Sequence, residues 1–317
     1  MLDLLSDIFA KLSVKGTLYF RASFTPPFGV QVPAYRNVAR FHYVHRGACR
    51  IAVAGSSETI LLEQGDLAIV PHGASHCLLS QDASTQASLP LETVLERAGY
   101  DGNGVLVFGG GDPAAAGSGT QLICGHFSFA PGGQHLIFER LPACLHLPRY
   151  GAAAGAWLSE TLQMIGAEIE QGLPGSDLIA LRLAETILAH AIRLHLQKAA
   201  TTGGPLAGFA DPQIGRALAA IHADPARRWT VDAMAREAGM SRSSYASRFA
   251  TMLGVTPMEY LKRWRMQIAR DALSQRGLSV AEAAELAGYT SEAAFSRAFK
   301  AATGQAPGVL RNIARQG

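Results

Sequence analysis

The chain has 317 residues, about twice the usual length of one domain, and 48% of them are hydrophobic, which is typical of a globular protein with two domains rather than of a disordered chain. No apolar run approaches the roughly 20 residues that a membrane-spanning helix needs, so no membrane partner is expected. The net charge of +3 hides an asymmetry: residues 206–317 contain 15 Lys and Arg against 9 Asp and Glu, a surplus that favours an anionic partner such as nucleic acid.

The N-terminal stretch "MLDLLSDIFAKL" lacks the basic region and the small-residue cleavage site of a signal peptide. It predicts a short amphipathic helix and a cytoplasmic protein. Cysteines are reduced in that compartment, and none of the four lies in a CxxC pair. They are therefore expected to be small buried thiols: Cys49, Cys77, Cys124 and Cys144.

Short extended runs bounded by Gly, Pro or Ser fill residues 17–80, among them "TLYFRASF", "ARFHYVHRG", "CRIAVAG" and "LAIVPHG". They predict an antiparallel β-structure, either a sandwich or a barrel. Residues 81–120 have the composition of surface loop apart from one strand-like run, "GVLVF", and "TQLICGHFSFAPG" then predicts a further strand.

Helical periodicity follows the strands. It predicts two consecutive amphipathic helices over 155–172 and 176–197, which either complete the core or form a dimer face, and we favour the dimer face. Residues 199–211 are rich in Gly, Ala and Thr without periodicity, which is typical of a linker. The predicted organisation is a first domain over 1–198, this linker, and a second domain over 212–317.

The second domain contains a repeat. The segments "TVDAMAREAGMS" and "SVAEAAELAGYT" align at an offset of 49 residues, and their apolar residues recur with the spacing of one buried helix face. Gly239 and Gly288 follow these helices, where a positive φ is needed to end them. A second helix then begins, capped by Ser241 in the first copy and by Thr290 or Ser291 in the second. Aromatic pairs at i, i+4 predict its buried stripe: Tyr245 with Phe249, and Phe295 with Phe299.

Helix, glycine turn and helix, repeated once, is the plan of two helix-turn-helix units, whose second helices enter the major groove of DNA. With the aromatic stripes inward, the outward faces supply the candidate DNA-binding residues: Arg242, Ser243, Ala246, Ser247, Ser291, Glu292, Ala293, Ser296, Arg297 and Lys300. Arg suits guanine, Ser suits bases or phosphates, and Ala suits the thymine methyl group.

A long helix is predicted between the two units, over 257–277. It would hold the recognition helices in successive grooves, about 34 Å apart on one face of the duplex. Its basic residues are expected either to contact phosphates or to balance the charge of the helix itself: Lys262, Arg263, Arg265 and Arg270.

These segments carry a family resemblance. The runs "AREAGMSRSSYASRFATMLGVTPMEYLKRWRM" and "AAELAGYTSEAAFSRAFKAATGQAP" resemble the AraC/XylS-type transcriptional regulators, and "FSRAFK" followed by Gly and Pro is the specific part of the match. The resemblance implies a bacterial protein that binds double-stranded DNA at specific sequences and regulates transcription, with activation through RNA polymerase as the family tendency. The run "GQAPGVLRNIA" departs mildly from the family by lacking Tyr-Arg after the last proline.

The run "GDLAIVPHGASHCLLS" has the spacing of the second cupin motif, with His76 at the position that faces a barrel interior. Ser80 stands where Asn is usual, and the first cupin motif with its Glu is absent. The N-terminal region thus resembles the cupin-bearing branch of the family, which implies a barrel that senses an effector and forms a homodimer. The expected fold class is α+β: a cupin-like antiparallel β-barrel with a helical pair, then an all-α domain of two helix-turn-helix units.

Two kinds of sensing site are candidates within the barrel. Cys124 and His126 share a strand face, and with His42 and His76 they would either hold a divalent metal such as zinc or line an effector pocket. We favour the pocket, or histidines that are simply hydrogen-bonded in the core, because the Glu ligand is missing. Cys77 and Cys124 are candidates for redox sensing, since an imidazolium beside Cys77 would lower the pKa of its thiol.

Three functions are compatible with these patterns. A transcription factor that responds to a small-molecule or redox effector is favoured. A metal-dependent cupin enzyme fused to a DNA-binding domain is disfavoured by the missing metal-binding motif. An architectural DNA-binding protein is disfavoured by the well-patterned first domain. The glycine-rich run "FGGGDPAAAG" lacks the Lys-Ser/Thr of a P-loop, so no catalytic residue is assigned and no enzyme is expected.

Overall fold

A computed structural model describes residues 3–12, 14–102, 104–110, 119–129, 135–148, 160–161, 164–165, 167–168, 173–204 and 206–316. Within these ranges no helix is long and apolar enough to cross a membrane. The chain divides into two parts, each treated by itself below. The sheet unit comprises Val14–Phe129 and Leu141–Ala191, and the helical unit comprises Met1–Ser13, Ala130–Arg140 and Ile192–Gly317.

The described part of the sheet unit contains eleven strands, most of which match the predicted extended runs. They are β1 (Lys15–Thr25), β2 (Gly29–Val32), β3 (Val38–Arg46), β4 (Ala48–Val53), β5 (Thr59–Glu63), β6 (Leu67–Val70), β7 (His76–Leu79), β8 (Leu89–Pro90), β9 (Val105–Gly109), β10 (Thr120–Ser128) and β11 (Leu145–Leu147).

The strands form two sheets, ordered β11-β6-β3-β10-β1-β9 and β5-β4-β7-β2-β8. Most neighbours pair antiparallel as predicted, but β1 pairs with β9, and β2 with β8, in parallel. The sheets are therefore mixed rather than antiparallel. Local patterns could not indicate this, because parallel neighbours are joined by long connections rather than by tight turns. Among the described strands neither sheet closes on itself, so the predicted barrel is not confirmed.

The core of this unit lies between the two sheets, where side chains alternate along each strand. Phe24, Ile51 and Leu122 belong to one buried cluster that draws on both sheets. Phe41 and Tyr43 lie on the other face of β3 and line a small apolar cavity with residues of a helix. The two-residue period of a strand therefore separates an inter-sheet core from a helix-covered face.

Helix numbering follows chain order: α1 (Leu4–Leu12), α2 (Leu91–Arg97), α3 (Leu136–Glu139) and α4 (Ser176–Thr202). Helix α1 confirms the predicted amphipathic helix, and α4 confirms the one predicted over 176–197. The first part of α4 covers β1, where Gly16 donates its N–H to Glu185 at 3.2 Å. The helix predicted over 155–172 lies largely outside the described residues.

The helical unit continues with α5 (Pro212–Ala223), α6 (Val231–Ala238), α7 (Arg242–Leu253), α8 (Pro257–Ser274), α9 (Val280–Leu286), α10 (Glu292–Thr303) and α11 (Pro307–Gln316). Each of the four helices that build the repeat begins at a side-chain cap, as the pattern indicates: Thr230, Ser241, Ser279 and Ser291. Gly239 and Gly288 have φ of +68° and +70°, the left-handed conformation predicted for them.

The two units do not follow the predicted boundaries at 198 and 212. Helix α1 and the residues around α3 pack with the C-terminal helices, although they precede and follow strands of the sheet unit. The predicted linker over 199–211 begins inside α4, and its Leu206 and Ala207 are buried. Apolar side chains in these segments pack against helices that are distant in the sequence, and composition alone does not reveal such contacts.

Candidate nucleic-acid interface

The second helices of the two repeats, α7 and α10, are the candidate recognition helices. Tyr245 and Phe249 of α7 are fully buried, as are Phe295 and Phe299 of α10, so the predicted inward stripe is confirmed. Within each pair the ring centroids lie 5.5 and 5.4 Å apart. Burying two aromatic rings one turn apart fixes the rotation of each helix, and with it the face that is left exposed.

The exposed faces carry the predicted DNA-binding residues. In both helices these side chains are exposed, apart from two that are half-buried: Arg242, Ser243, Ala246 (half-buried), Ser247, Ser291, Glu292, Ala293, Ser296 (half-buried), Arg297 and Lys300. Ser241 and Ser291 also accept the N–H of Ser244 and Ala294, which caps the two helices. Polar groups, positive charge and a capped N-terminus are what a helix needs to contact a groove and its phosphates.

Arg242 is the basic residue of the first face. Its side chain is 69% exposed, and its nearest carboxylate, on Asp232, is 3.8 Å away. An ion pair this exposed and this long contributes little to stability, so the guanidinium is available to DNA. On the second face the exposed basic residues are Arg297, which aligns with Ser247, and Lys300, while Glu292 stands at the position of Arg242.

Helix α8 joins the two units over 18 residues and confirms the predicted connecting helix. Its basic residues differ from one another in role. Lys262 is exposed, whereas Arg265 donates to the carbonyl oxygens of Pro225 and Arg227, each at 2.8 Å, and Arg270 is buried. Arg265 therefore holds parts of the helical unit together, and the buried Arg270 is not available to phosphates.

Two further arginines position the recognition apparatus and were not singled out from the sequence. Arg248 of α7 donates to Asp211 at 2.5 Å, and Asp211 in turn caps α5. Burial alone would raise the pKa of Asp211, but hydrogen bonds from Ile214 and Arg248 lower it overall. Arg216 donates to Ala238 at the end of α6 at 2.9 Å. Their partners lie 37 and 22 residues away, so no local pattern marks them.

A second candidate site lies between the sheets. His42, His76 and Cys124 are all buried and linked in series: Cys124 Sγ lies 3.2 Å from His42 Nδ1, and His42 Nε2 lies 2.7 Å from His76 Nε2. His76 Nδ1 lies 2.9 Å from the carbonyl oxygen of Ala74. The adjoining cavity is apolar except for His42, Cys124 and the buried Arg40.

The partners fix the protons along this chain of hydrogen bonds. A carbonyl oxygen only accepts, so His76 Nδ1 carries a proton, and its Nε2 is the acceptor when the ring is neutral. His42 Nε2 must then donate, which leaves His42 Nδ1 to accept from the Cys124 thiol. Burial lowers the pKa of His42 well below its usual range and that of His76 to about 4, while it raises the pKa of the Cys124 thiol. All three groups are neutral near pH 7.

This geometry does not fit the predicted zinc site. His42 directs one ring nitrogen at Cys124 and the other at His76, so one ion could not bind all three side chains. Among the described residues, no group of three or more His, Cys, Asp or Glu side chains is arranged to hold a metal. His126 is half-buried, and it pairs in register with Arg40 rather than joining the series.

The redox prediction also lacks an activating contact. His76 and Cys77 are consecutive on β7, so their side chains point to opposite faces, and both nitrogens of His76 are engaged elsewhere. The raised thiol pKa of Cys124 disfavours the reactive thiolate. All four cysteines are free thiols, and redox sensing stays a prediction.

Comparison with known proteins gives the family. A cupin family model matches residues 3–197, and a helix-turn-helix domain model matches residues 234–313. A putative AraC-like transcription regulator from Streptomyces lividans is 37% identical over 317 residues, covering 98% of both chains. Another from Streptomyces antibioticus is 38% identical over 281 residues, covering 86% of this chain and 87% of the relative.

A more distant relative is named an RCS-specific HTH-type transcriptional activator, from Escherichia coli K12; it is 26% identical over 281 residues and covers 88% of this chain and 86% of its own. The two Streptomyces relatives span nearly the whole chain, and the two domain models fall on the sheets and on the repeated helices. The chain therefore belongs to the AraC-like transcription regulators, DNA-binding proteins in which a cupin domain precedes a helix-turn-helix domain.

Proposed function

We propose that this regulator places α7 and α10 in successive major grooves of its operator. The observation that carries the proposal is the matched exposure of polar and basic residues on two recognition helices whose aromatic stripes are fully buried. Arg242 and Arg297 are the guanidinium groups suited to guanine, and Glu292 suits the amino group of cytosine. Two helices joined by one connecting helix would read more base pairs than either could alone.

The proposed partners follow from the same reading. Activation through RNA polymerase is favoured by a relative that carries the word activator in its name. A homodimer is favoured by large apolar side chains that are exposed in and before α4: Met164, Leu173, Leu178 and Ile179. A regulator of bacterial promoters works beside the chromosome, which makes the cytoplasm the proposed location. No catalytic role is proposed for any residue.

The cavity between the sheets is the proposed effector site. Its lining is apolar apart from three polar side chains, Arg40, His42 and Cys124, which is the usual composition of a small-molecule pocket. An effector there would compete with the Cys124–His42 hydrogen bond, and so would act directly on strand β10.

The test of DNA binding is footprinting of the full chain on the DNA upstream of its own and neighbouring genes, at two salt concentrations. Protection of two adjacent major-groove segments is expected. Arg297→Ala should weaken binding by about 10- to 100-fold, the usual worth of a bidentate contact to guanine, and should remove the protection of one segment only.

The matched control is Arg97→Ala. Arg97 is also an exposed arginine, but it lies in the last turn of α2, outside the recognition helices and outside α4. This variant should bind like the wild type. Absence of sequence-selective protection at both salt concentrations, with the known metabolites of the host added, would contradict the proposal.

A further inference from the structure

Two segments from the first half of the sequence complete the helical unit. They are α1 and residues 135–140, here called the bracing segments. Ile8 and Leu12 of α1 are fully buried, and the rings of Phe9 and Phe138 lie 6.0 Å apart, so the two segments also contact each other. Gln267 of α8 donates to the carbonyl oxygen of Lys11 at 3.3 Å.

A continuous series of hydrogen bonds ties these segments to the first helix-turn-helix unit. Asp7 Oδ2 lies 2.9 Å from His222 Nδ1, and His222 Nε2 lies 2.7 Å from the Tyr260 hydroxyl. The same hydroxyl lies 3.3 Å from His135 Nε2. His135, His222 and Tyr260 are all buried.

The direction of each bond follows from one end of the series. His135 Nδ1 accepts the backbone N–H of Ile137 at 3.2 Å, so its Nε2 carries the proton and donates to Tyr260. Tyr260 then donates to His222 Nε2, and His222 Nδ1 donates to the Asp7 carboxylate. Every donor and acceptor in the series is used once in a single sense, an arrangement in which the bonds strengthen one another.

The series contacts the recognition helix through Tyr260. The ring of Tyr260 lies 5.8 Å from that of Phe249, one of the two aromatic residues that fix the rotation of α7. At the end of α7, Arg140 donates to the carbonyl oxygen of Gly254 at 3.4 Å, where a cation favours the helix terminus. The bracing segments therefore reach α7 indirectly through Tyr260 of α8 and directly through Arg140 at its C-terminal end, and Ser243 and Ser247 stay exposed.

We propose that the bracing segments are a positive regulatory device. They hold α7 in the orientation that reads DNA, and their release weakens binding to the half-site read by the first helix-turn-helix unit. The contact is not a block, because it lies behind the recognition helix rather than over its DNA-reading face. This inference rests on the proposed function. It adds a conformational control that the second unit, with α10, does not share.

The test is a double-mutant cycle on operator binding by the full chain, with Asp7→Asn and Tyr260→Phe. Asp7→Asn removes the charge of the acceptor, and Tyr260→Phe removes the hydroxyl with both of its hydrogen bonds; both keep nearly the same volume. Each should weaken operator binding by about 3- to 10-fold, the usual worth of a buried hydrogen bond. The double variant should bind the operator as tightly as the single variant with the lower affinity, because both changes act on the same series of hydrogen bonds.

Footprints distinguish this effect from general damage. The half-site read by α10 is the one whose protection Arg297→Ala abolishes. In Asp7→Asn and Tyr260→Phe the other half-site should lose protection first. Asp3→Asn and Tyr289→Phe are the matched controls: Asp3 contacts Ser6 within α1 and Tyr289 packs on Phe295 of the second unit, and both should bind like the wild type.

Equal weakening of both half-sites would overturn the proposal, and so would wild-type affinity in both single variants or a double variant whose loss is the product of the single losses. A wild-type chain that shows no selective footprint contradicts the proposed function itself. The two failures are thereby separated.

Discussion

Two buried imidazoles that touch can share only one proton along the line between them. The Nε2 atoms of His42 and His76 lie 2.7 Å apart. The Nδ1 of His42 contacts Cys124, and the Nδ1 of His76 contacts the carbonyl oxygen of Ala74. A second proton on His76 would set its Nε2–H against the Nε2–H of His42, and one on His42 would set its Nδ1–H against the Cys124 thiol, in a buried site. The pair therefore accepts protons only at a cost to the fold.

Acid should destabilise the protein through this pair. Burial lowers the pKa of His76 to about 4, below the ordinary 6.5 that it would regain on unfolding. The stability linked to its neutral ring is fully present above pH 6.5 and is lost as the pH falls toward 4. Between pH 6.5 and 5 the free energy of unfolding should fall by about 2 kcal/mol from His76, and the lowered pKa of His42 acts in the same direction.

Urea unfolding at a series of pH values measures this slope. In His76→Gln the slope between pH 6.5 and 5 should be markedly smaller than in the wild type, while His72→Gln, which replaces an exposed ring, should keep it. A His76→Gln chain that loses stability with acid as steeply as the wild type would rule out this role for the pair.

Among the elements, the second helix-turn-helix unit offers a comparison of two glycines, one in its turn and one at the end of its recognition helix. Gly288 and Gly304 both lie in the left-handed region, with φ of +70° and +76°. A Cβ on Gly288 would meet the carbonyl oxygen of Ala226 at 2.7 Å, whereas a Cβ on Gly304 meets nothing within 4 Å. Of these two glycines, only Gly288 has both a positive φ and another segment so close that a Cβ would clash with it.

The two alanine substitutions should separate these effects. Gly304→Ala should cost about 1 kcal/mol, the strain of a left-handed alanine alone. Gly288→Ala should cost about 3 kcal/mol, because the Ala226 segment must also move. Chemical denaturation of the two variants measures both values, and equal losses would show that the segment yields without cost.

The elements of the helical unit could be predicted because their signals are local. Caps, glycines and the aromatic pairs all lie within one turn of the helix they define, and the offset of 49 residues between repeats made them visible twice. The parallel pairing of β1 with β9 and the contact between Asp7 and His222, 215 residues apart, have no local signal. The candidate DNA-binding face was accordingly foreseen, whereas the bracing segments were not.

At the scale of the whole molecule, the chain passes between the two units four times, and two of these passages lie at one end of one pair of strands. β1 and β10 are antiparallel, and Lys15 at the start of β1 pairs with Ser128 at the end of β10. Helix α1 precedes β1 and residues 135–140 follow β10, so both bracing segments continue from the same end of this strand pair. Cys124, which lines the cavity, lies on β10 and pairs in register with His42.

This connection predicts that the cavity affects DNA binding through the bracing segments. His42→Phe keeps a ring but removes the hydrogen bonds to Cys124 and His76, which loosens the contact between β3 and β10 at Cys124. We expect operator binding by the full chain to weaken about fivefold or more, from the lower end of the usual range of coupling between sites. In an Asp7→Asn background, where the brace is already weakened, the same change should have less than about a twofold effect. Titration of operator DNA with the wild type, His42→Phe, Asp7→Asn and the double variant measures the coupling free energy directly. If His42→Phe weakens binding equally in both backgrounds, the cavity acts on DNA by another route, and if it has no effect in either, the strand pair does not transmit the state of the cavity.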